Sequence, residues 1–375
     1  MAMDETIRSV ADRFCLEGTM TGFQEIKTGH INRSYRLRCE TPDGGVKDYV
    51  LQRINVYVFK KPEEVMDNVC MVTDYLAQAM VRMGQDPTNR VLKLIPAREG
   101  GYLARDDEGG HWRVYDFISH AHTVDQAQSL AQFREIGRAF GDFQSMLSGF
   151  PIDSLHETIP SFHDTRKRLG DFRRSVEKDV CQRADGVRQD IDFILQRGPA
   201  MCRIVEMIEE GALPLRVTHN DTKINNVMLD IATDRALCVI DLDTVMPGSV
   251  LYDFGDAIRV GACTATEDER DLSRVSLDMD LFSAFSEGFT TRTANHLTLK
   301  ELENLPLGAI VMTFENAMRF LADYLDGDVY YRIDCPDHNL ARARCQMRLL
   351  SDMERREAEM YATVRAQIAQ YRTQP

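Results

Sequence analysis

The spacing of apolar residues changes character near residue 118, and that change restricts this chain to an architecture of two unlike parts. Before it, residues 22–54 read as strands, because strand side chains alternate between two faces. Tyr35–Cys39 alternates, Pro42-Asp43-Gly44-Gly45 supplies a turn, and Tyr49–Ile54 resumes the extended pattern, so a hairpin is expected. Pro62-Glu63-Glu64 then opens a helix: proline suits a first turn, and early acids complement the helix dipole. Val65, Val69, Val72, Leu76 and Met80 give that helix one apolar face, and Gly84 ends it. Three more strands are expected at Val91–Ala97, Tyr102–Ala104 and Trp112–Ile118.

After residue 118 the period is helical. Leu130, Phe133, Gly137, Phe140, Phe143 and Leu147 form one stripe, and residues 161–181, 189–210, 271–289, 299–326 and 338–371 carry further helical patterns. The exception lies between Leu215 and Val245. There Val227–Leu229 and Leu237–Ile240 are short apolar runs joined by the polar turn Asp230–Arg235. The expected fold class is α+β, with a small β-rich N-terminal lobe over residues 1–118 and a larger, mainly helical C-terminal lobe over residues 119–375. The stretch Ser119–Asp125 is the natural joint. A chain of 375 residues exceeds what one core usually holds, which agrees with two lobes.

Composition narrows the partners. Against 45 basic residues stand 59 acids, for a formal charge of −14, a poor match for nucleic acid or an anionic membrane. The nine cysteines are scattered without a Cys-x-x-Cys pair, which argues against a zinc site or disulfide framework and for reduced thiols in a cytoplasm. Met1 to Thr19 mixes Asp4, Glu5, Arg8, Asp12 and Arg13 among apolar residues, unlike a signal peptide. No apolar run approaches the roughly 20 residues of a membrane helix. No obligate protein partner is evident.

The chemistry concentrates in His219-Asn220-Asp221-Thr222-Lys223-Ile224-Asn225-Asn226-Val227, followed by Val239-Ile240-Asp241-Leu242-Asp243-Thr244. A loop after a strand presents Asp221, Asn226 offers a neutral oxygen five residues later, and a hairpin returns Asp241 to the same end of the sheet. Two carboxylates and an amide are hard oxygen donors of the kind that suit magnesium shared with phosphate oxygens. Phosphoryl transfer requires these parts: a base for the acceptor hydroxyl, and an Asn and an Asp for metal ions. Taken singly, each acid would read as a loop cap and Asn226 as a turn residue; the joint spacing favours the site.

His219-x-Asp221-x4-Asn226 followed by Ile240-Asp241-x-Asp243 resembles the aminoglycoside phosphotransferase and choline kinase superfamily, and within it the bacterial N-acetylhexosamine 1-kinases. The closer likeness is carried by Thr28-Gly29-His30-Ile31-Asn32, residues 49–55, 112–118, 217–229 and 239–248, Tyr252-Asp253-Phe254-Gly255-Asp256, and residues 318–330. The resemblance implies a two-lobed, protein-kinase-like fold and a kinase that uses ATP and Mg2+. It implies Asp221 as catalytic base, Asn226 and Asp241 as metal ligands, with a weaker second contact from Asp243. It gives Asp253 and His219 loop-steadying roles. The phosphate loop carries a single glycine, Gly29, with Asn32 near the nucleotide. The third strand shows Gln52-Arg53 where a protein kinase has lysine, so Arg53 is the expected phosphate anchor, with Glu64 as its candidate acidic partner. The hinge that binds adenine would be Tyr115–Ile118, notably Phe117 and Ile118.

For the acceptor, the resemblance implies sugar contacts from His30, Arg319 and Tyr330, with Asp221 on the anomeric hydroxyl. Arg319 has another reading as a surface residue pairing Asp323 at i+4, and Tyr330 as the cap of a turn. The expected reaction moves the ATP γ-phosphate to the 1-hydroxyl of an N-acetylhexosamine. Alternatives are an aminoglycoside, choline or other small-alcohol kinase, with the acids Asp323, Asp326 and Asp328 receiving a polycation, or an inactive kinase fold that binds a ligand.

Overall fold

The chain is described from a computed structural model in which residues 2–27 and 31–373 are described. An initial helix, α1 (Ala2–Ala11), precedes the strands β1 (Thr19–Ile26), β2 (Arg33–Glu40) and β3 (Val46–Arg53). Helix α2 (Pro62–Arg82) follows, then β4 (Ala104–Arg105) and β5 (His111–Asp116). The five strands form one antiparallel sheet in the order β1-β2-β3-β5-β4. The expected hairpin is present: Thr41 N–H bonds the Gly45 carbonyl, and Gly44 takes the left-handed φ of +83° that closes the turn without a Cβ clash. Helix α1 was not visible in the apolar spacing; Ile7 and Val10 cover Tyr35, Leu37, Tyr49, Leu51, Trp112 and Val114 on one face of the sheet.

The opposite face carries Val50 and Tyr115 against Val65, Val69 and Val72 of α2. Its core continues into Phe143, Val217, Leu242 and Val245, so the sheet and the helical part share buried apolar surface. The strand expected at Val91–Ala97 is absent. Only single bridges form there, Leu94 to Tyr115 and Ala97 to Phe14, and Pro96 has no N–H to continue a ladder. The strand expected at 102–104 shrinks to β4, and the one at 112–118 stops at Asp116.

The remainder is helical, interrupted by four short strands and β6. In order come β6 (Ala121–His122), α3 (Leu130–Met146), α4 (Thr165–Lys178), α5 (Arg188–Met201) and α6 (Arg203–Glu209). The exceptional segment then holds β7 (Arg216–Thr218), β8 (Val227–Asp230), β9 (Ala236–Val239) and β10 (Met246–Gly248). Helices α7 (Val250–Gly261), α8 (Met279–Thr293), α9 (Leu299–Glu303), α10 (Leu305–Asp326) and α11 (His338–Tyr371) complete the chain. The predicted hairpin is β8–β9, with β6 on its outer edge; β7 pairs with β10 separately.

The helical run expected over 299–326 is two helices. A Thr298–Glu301 capping box starts α9, and Pro306 in the first turn of α10 starts the second. Helix α7 is nearly all buried, and its polar stripe, Asp253, Asp256 and Arg259, faces protein partners and not solvent. It lies against α10 at a distance only glycine allows. A Cβ on Gly255 would collide with the Gly308 carbonyl, and one on Gly308 with the Leu251 carbonyl. That approach fixes α7, which carries Asp253, Asp256 and Arg259, against α10, which carries Glu315 and Arg319.

Candidate active site

The loop after β7 is built around a buried histidine. His219 packs edge-on against Phe140 and Phe143. Its Nε2 lies 2.8 Å from the Ile240 carbonyl, which can only accept, so the ring proton sits on Nε2. Nδ1 then accepts the Asp221 N–H at 3.3 Å. Asn220 adopts a left-handed φ of 62° and donates from Nδ2 to the Thr244 carbonyl at 2.9 Å, tying the loop to the segment before β10.

Asp253, in the first turn of α7, collects the rest. Its carboxylate accepts the N–H of His219 at 2.9 Å, the N–H of Asn220 at 2.7 Å and the side chain of Gln144 at 2.7 Å. Its carbonyl accepts the Thr222 hydroxyl. Burial outweighs His219 and these donors, so the carboxyl sits above the usual range. Asp253 thus holds the loop, and every donor it satisfies belongs to the scaffold.

Asp221, Asn226 and Asp241 come together. Asn226 donates from Nδ2 to the Asp221 carbonyl at 2.8 Å and lies 3.4 Å from its Oδ2. The Asn226 carbonyl accepts the Ile240 N–H at 2.9 Å, placing Asp241 next in line. Asp241 has a left-handed φ of 60°, a conformation that costs an ordinary residue about 1 kcal/mol and re-aims its side chain. The residue is exposed although protein crowds around its carboxyl. That surrounding protein, with Asp243 and Asp221, pushes the Asp241 carboxyl up to about 6.

Lys223, which the motif reading passed over, lies 2.9 Å from Asp221 Oδ1. Burial pushes the Asp221 carboxyl up, but Lys223 more than offsets it, so Asp221 stays below the ordinary carboxylate range. The signal was available: a cation two residues after a candidate base, on the same short loop.

The donor set fits a divalent cation. Among the described residues no three His, Cys, Asp or Glu side chains cluster as a metal cage. Two carboxylates and one amide leave coordination positions for water and phosphate oxygens, as magnesium prefers. A cation there would also offset the burial and the Asp243 and Asp221 charges that raise Asp241.

On the sheet side the expectation for Arg53 fails. Consecutive strand residues face opposite ways, and Arg53 shares its face with Tyr49 and Leu51, over the Trp112 ring. It approaches Asp106 at 3.6 Å and Glu108 at 3.9 Å, away from the site. Glu64 is not its partner; it pairs with Lys61 at 2.7 Å. Gln52 faces the other way, and its Oε1 accepts from Arg113 of β5. Arg113 in turn lies 2.5 Å from Asp243, so Asp243 is engaged in an ion pair rather than offered as a further metal contact. Asn32 Nδ2 also donates to Asp243, at 2.7 Å, which brings Asn32 to the site.

At the expected hinge, the Phe117 N–H bonds the Asp48 carbonyl at 3.3 Å, with Arg36 over the ring. Ile118 has a buried side chain and makes no backbone hydrogen bond among the described residues.

Of the residues expected to meet the acceptor, Arg319 and Tyr330 are neighbours. The Arg319 guanidinium lies 5.3 Å from the Phe162 ring, 5.8 Å from Tyr330 and 5.7 Å from Tyr331. The i+4 pair with Asp323 does not form. Asp323 instead accepts the N–H groups of Val329, Tyr330 and Tyr331 at 2.8–2.9 Å and the Asn339 side chain at 2.8 Å. Arg259, itself paired with Asp256 and Glu267, contributes positive charge to both Asp221 and Arg319. His30 lies outside the described residues.

An antiparallel sheet over a larger helical part, with an acid–amide–acid set between them, defines a phosphotransferase of the protein-kinase-like fold. Residues 22–276 match the phosphotransferase enzyme family, APH, and the chain belongs to that family: it is a kinase of the aminoglycoside phosphotransferase and choline kinase superfamily. Among solved structures it is similar to an amicoumacin kinase in complex with AMP-PNP, Ca2+ and Ami, at 13% identity and a TM-score of 0.59, over 92% of this chain and 93% of that one. It is similar to a spectinomycin phosphotransferase in complex with ADP and spectinomycin, at 14% identity and a TM-score of 0.56, over 96% and 98%. A choline kinase from Cryptosporidium parvum aligns at 12% identity and a TM-score of 0.56, over 93% of each chain. At these identities the likeness is one of fold. Among the described residues no helix is long and apolar enough to cross a membrane.

Proposed function

We propose that the protein transfers the γ-phosphate of ATP to the anomeric hydroxyl of an N-acetylhexosamine, giving the sugar 1-phosphate. Asp221, kept ionised by Lys223, accepts the hydroxyl proton and orients the oxygen for in-line attack. The new bond joins that oxygen to the terminal phosphorus as the bond to the departing ADP oxygen breaks. An anomeric hydroxyl is more acidic than an ordinary alcohol, so a mild base suffices. A magnesium ion held by Asn226 and Asp241 would neutralise phosphate charge. The Ile118 backbone is the nucleotide contact this reading retains; the Asn32 side chain is engaged by Asp243 and the Asn55 N–H. The amicoumacin kinase solved with AMP-PNP and Ca2+ supports a nucleoside triphosphate and a divalent ion as the requirements.

The observation that carries the acceptor assignment is Arg319. It has aromatic rings around it and no hydrogen bond or ion pair from its side chain among the described residues. A sugar hydroxyl or acetamido oxygen answers such a fork, and Tyr330 offers a ring to the apolar face of a pyranose. A cationic acceptor such as an aminoglycoside or choline finds its acids here engaged among the described residues. Glu315 is engaged by His163 at 2.8 Å, and Asp256 and Glu267 are engaged by Arg259. The outer acids are taken as well: Asp328 by Arg183, Asp326 by the Ser175 hydroxyl, and Asp323 by backbone amides. Arg168, close to Arg319, adds a second positive charge.

The test is a screen with ATP and magnesium over N-acetylglucosamine, N-acetylgalactosamine, kanamycin and choline, followed by phosphorus NMR of the product. The expected product carries phosphate on the anomeric carbon. Phosphate on carbon 6, or turnover of kanamycin or choline alone, would overturn the assignment; a protein that turns over none of them would favour an inactive binding fold.

A further inference from the structure

The site needs something to hold its metal-ligand segment against the sheet, and β3 offers no charge for the purpose, because its inward position is Gln52. The neighbouring strand does. Gln52 and Arg113 are register partners on β3 and β5, so their side chains share one face. Arg113 is 1% exposed, so its guanidinium must find its partners within the protein. Nε and Nη2 donate to Gln52 Oε1 at 3.0 and 2.6 Å, Nη2 lies 2.5 Å from Asp243 Oδ1, and the guanidinium sits 5.1 Å over the Tyr115 ring.

Asp243, 3% exposed, closes a second link. Its Oδ2 accepts from Asn32 at 2.7 Å, and Asn32 Oδ1 accepts the Asn55 N–H at 2.9 Å. Two residues before Asp243, Asp241 holds its left-handed turn. The segment 241–243 is therefore fastened to the sheet at one carboxylate, from β5 on one side and from the chain entering β2 on the other. A buried pair of this kind is demanding: either partner alone would be an uncompensated charge in the interior. A pair kept for packing alone would be replaceable by apolar residues of similar size without loss of chemistry.

We infer that Arg113 is a positioning residue that acts through Asp243 to hold Asp241 in its metal-binding geometry. The inference rests on the phosphotransferase reading of Asp241, but not on the identity of the acceptor. It predicts an effect on metal and phosphate handling that spares acceptor binding.

The experiment uses the full chain and the variants Arg113→Met, Arg113→Lys and Asp243→Asn, each checked for folding by circular dichroism. Binding of Mn2+ together with ATP is titrated by electron paramagnetic resonance, a readout independent of turnover. Arg113→Met should weaken it about 10–100-fold, with Arg113→Lys recovering part of the loss. With sugar acceptor, kcat should fall in parallel while the acceptor KM stays within about twofold. If Arg113→Met does not fold, Asp243→Asn, which is nearly isosteric, carries the test with the same expected shift. A folded variant with unchanged Mn2+–ATP binding overturns the inference. A wild type that binds Mn2+–ATP but phosphorylates no sugar overturns the acceptor assignment and leaves this test readable; one that binds none overturns both.

Discussion

At the scale of single residues, the site is a balance between burial and one well-placed cation. Burial alone would raise Asp221, and Lys223 reverses the sign. A base must be ionised to work, so the acid limb of the kcat profile should lie on the acid side of neutrality. Lys223→Met removes the opposing charge and should move that limb to higher pH, measured as a pH–rate profile. Asp221→Asn should abolish turnover and leave nucleotide binding largely intact by calorimetry. Asp253→Ala leaves two backbone N–H groups and Gln144 without their acceptor, and should cost about 2–4 kcal/mol in chemical denaturation. The residues of the 219–226 loop were legible in the sequence because their spacing lies along one short stretch. Arg113 and Asp243 were not legible as a pair, since 130 positions separate them and only the packing of the 241–244 turn against the sheet brings them together. The misplacement of Arg53 is a one-residue question: neighbours in a strand face opposite ways, and local spacing did not say whether 52 or 53 turned inward.

At the scale of elements, amphipathic pieces were readable and fully buried ones were not. Helix α2 and the stripe of α3 followed from apolar spacing, as did the β8–β9 hairpin. Helix α7 has no exposed face to betray it, and α1 owes its place to the sheet it covers. The contact between α7 and α10 is the most exacting in the helical part. Gly308→Val should force the two helices apart at Leu251 and lower stability by about 1–3 kcal/mol, read as a lower Tm. Because α7 carries Asp253 and α10 carries Arg319, the same variant should reduce both catalytic rate and acceptor affinity, whereas a change confined to the loop would touch only the former.

At the scale of the molecule, the sheet and the helices are not independent bodies. Val65 and Val69 of α2 share a core with Phe143, Val217 and Leu242. Unfolding should therefore run as one transition, with tryptophan fluorescence from Trp112 and circular dichroism giving the same midpoint. Saturating ATP and magnesium at about 100 times Kd should stabilise by about 2.7 kcal/mol, visible as a rise in that midpoint. The turn after α10 has a different kind of consequence. Asp323 gathers the amides of residues 329–331, so the shape of that wall is set by main chain and not by the side chains it displays. Tyr330, half exposed, can then be exchanged without loosening the wall. On the proposed reading, a different acceptor would call for new side chains on that wall and leave the phosphate-transferring loop as it is.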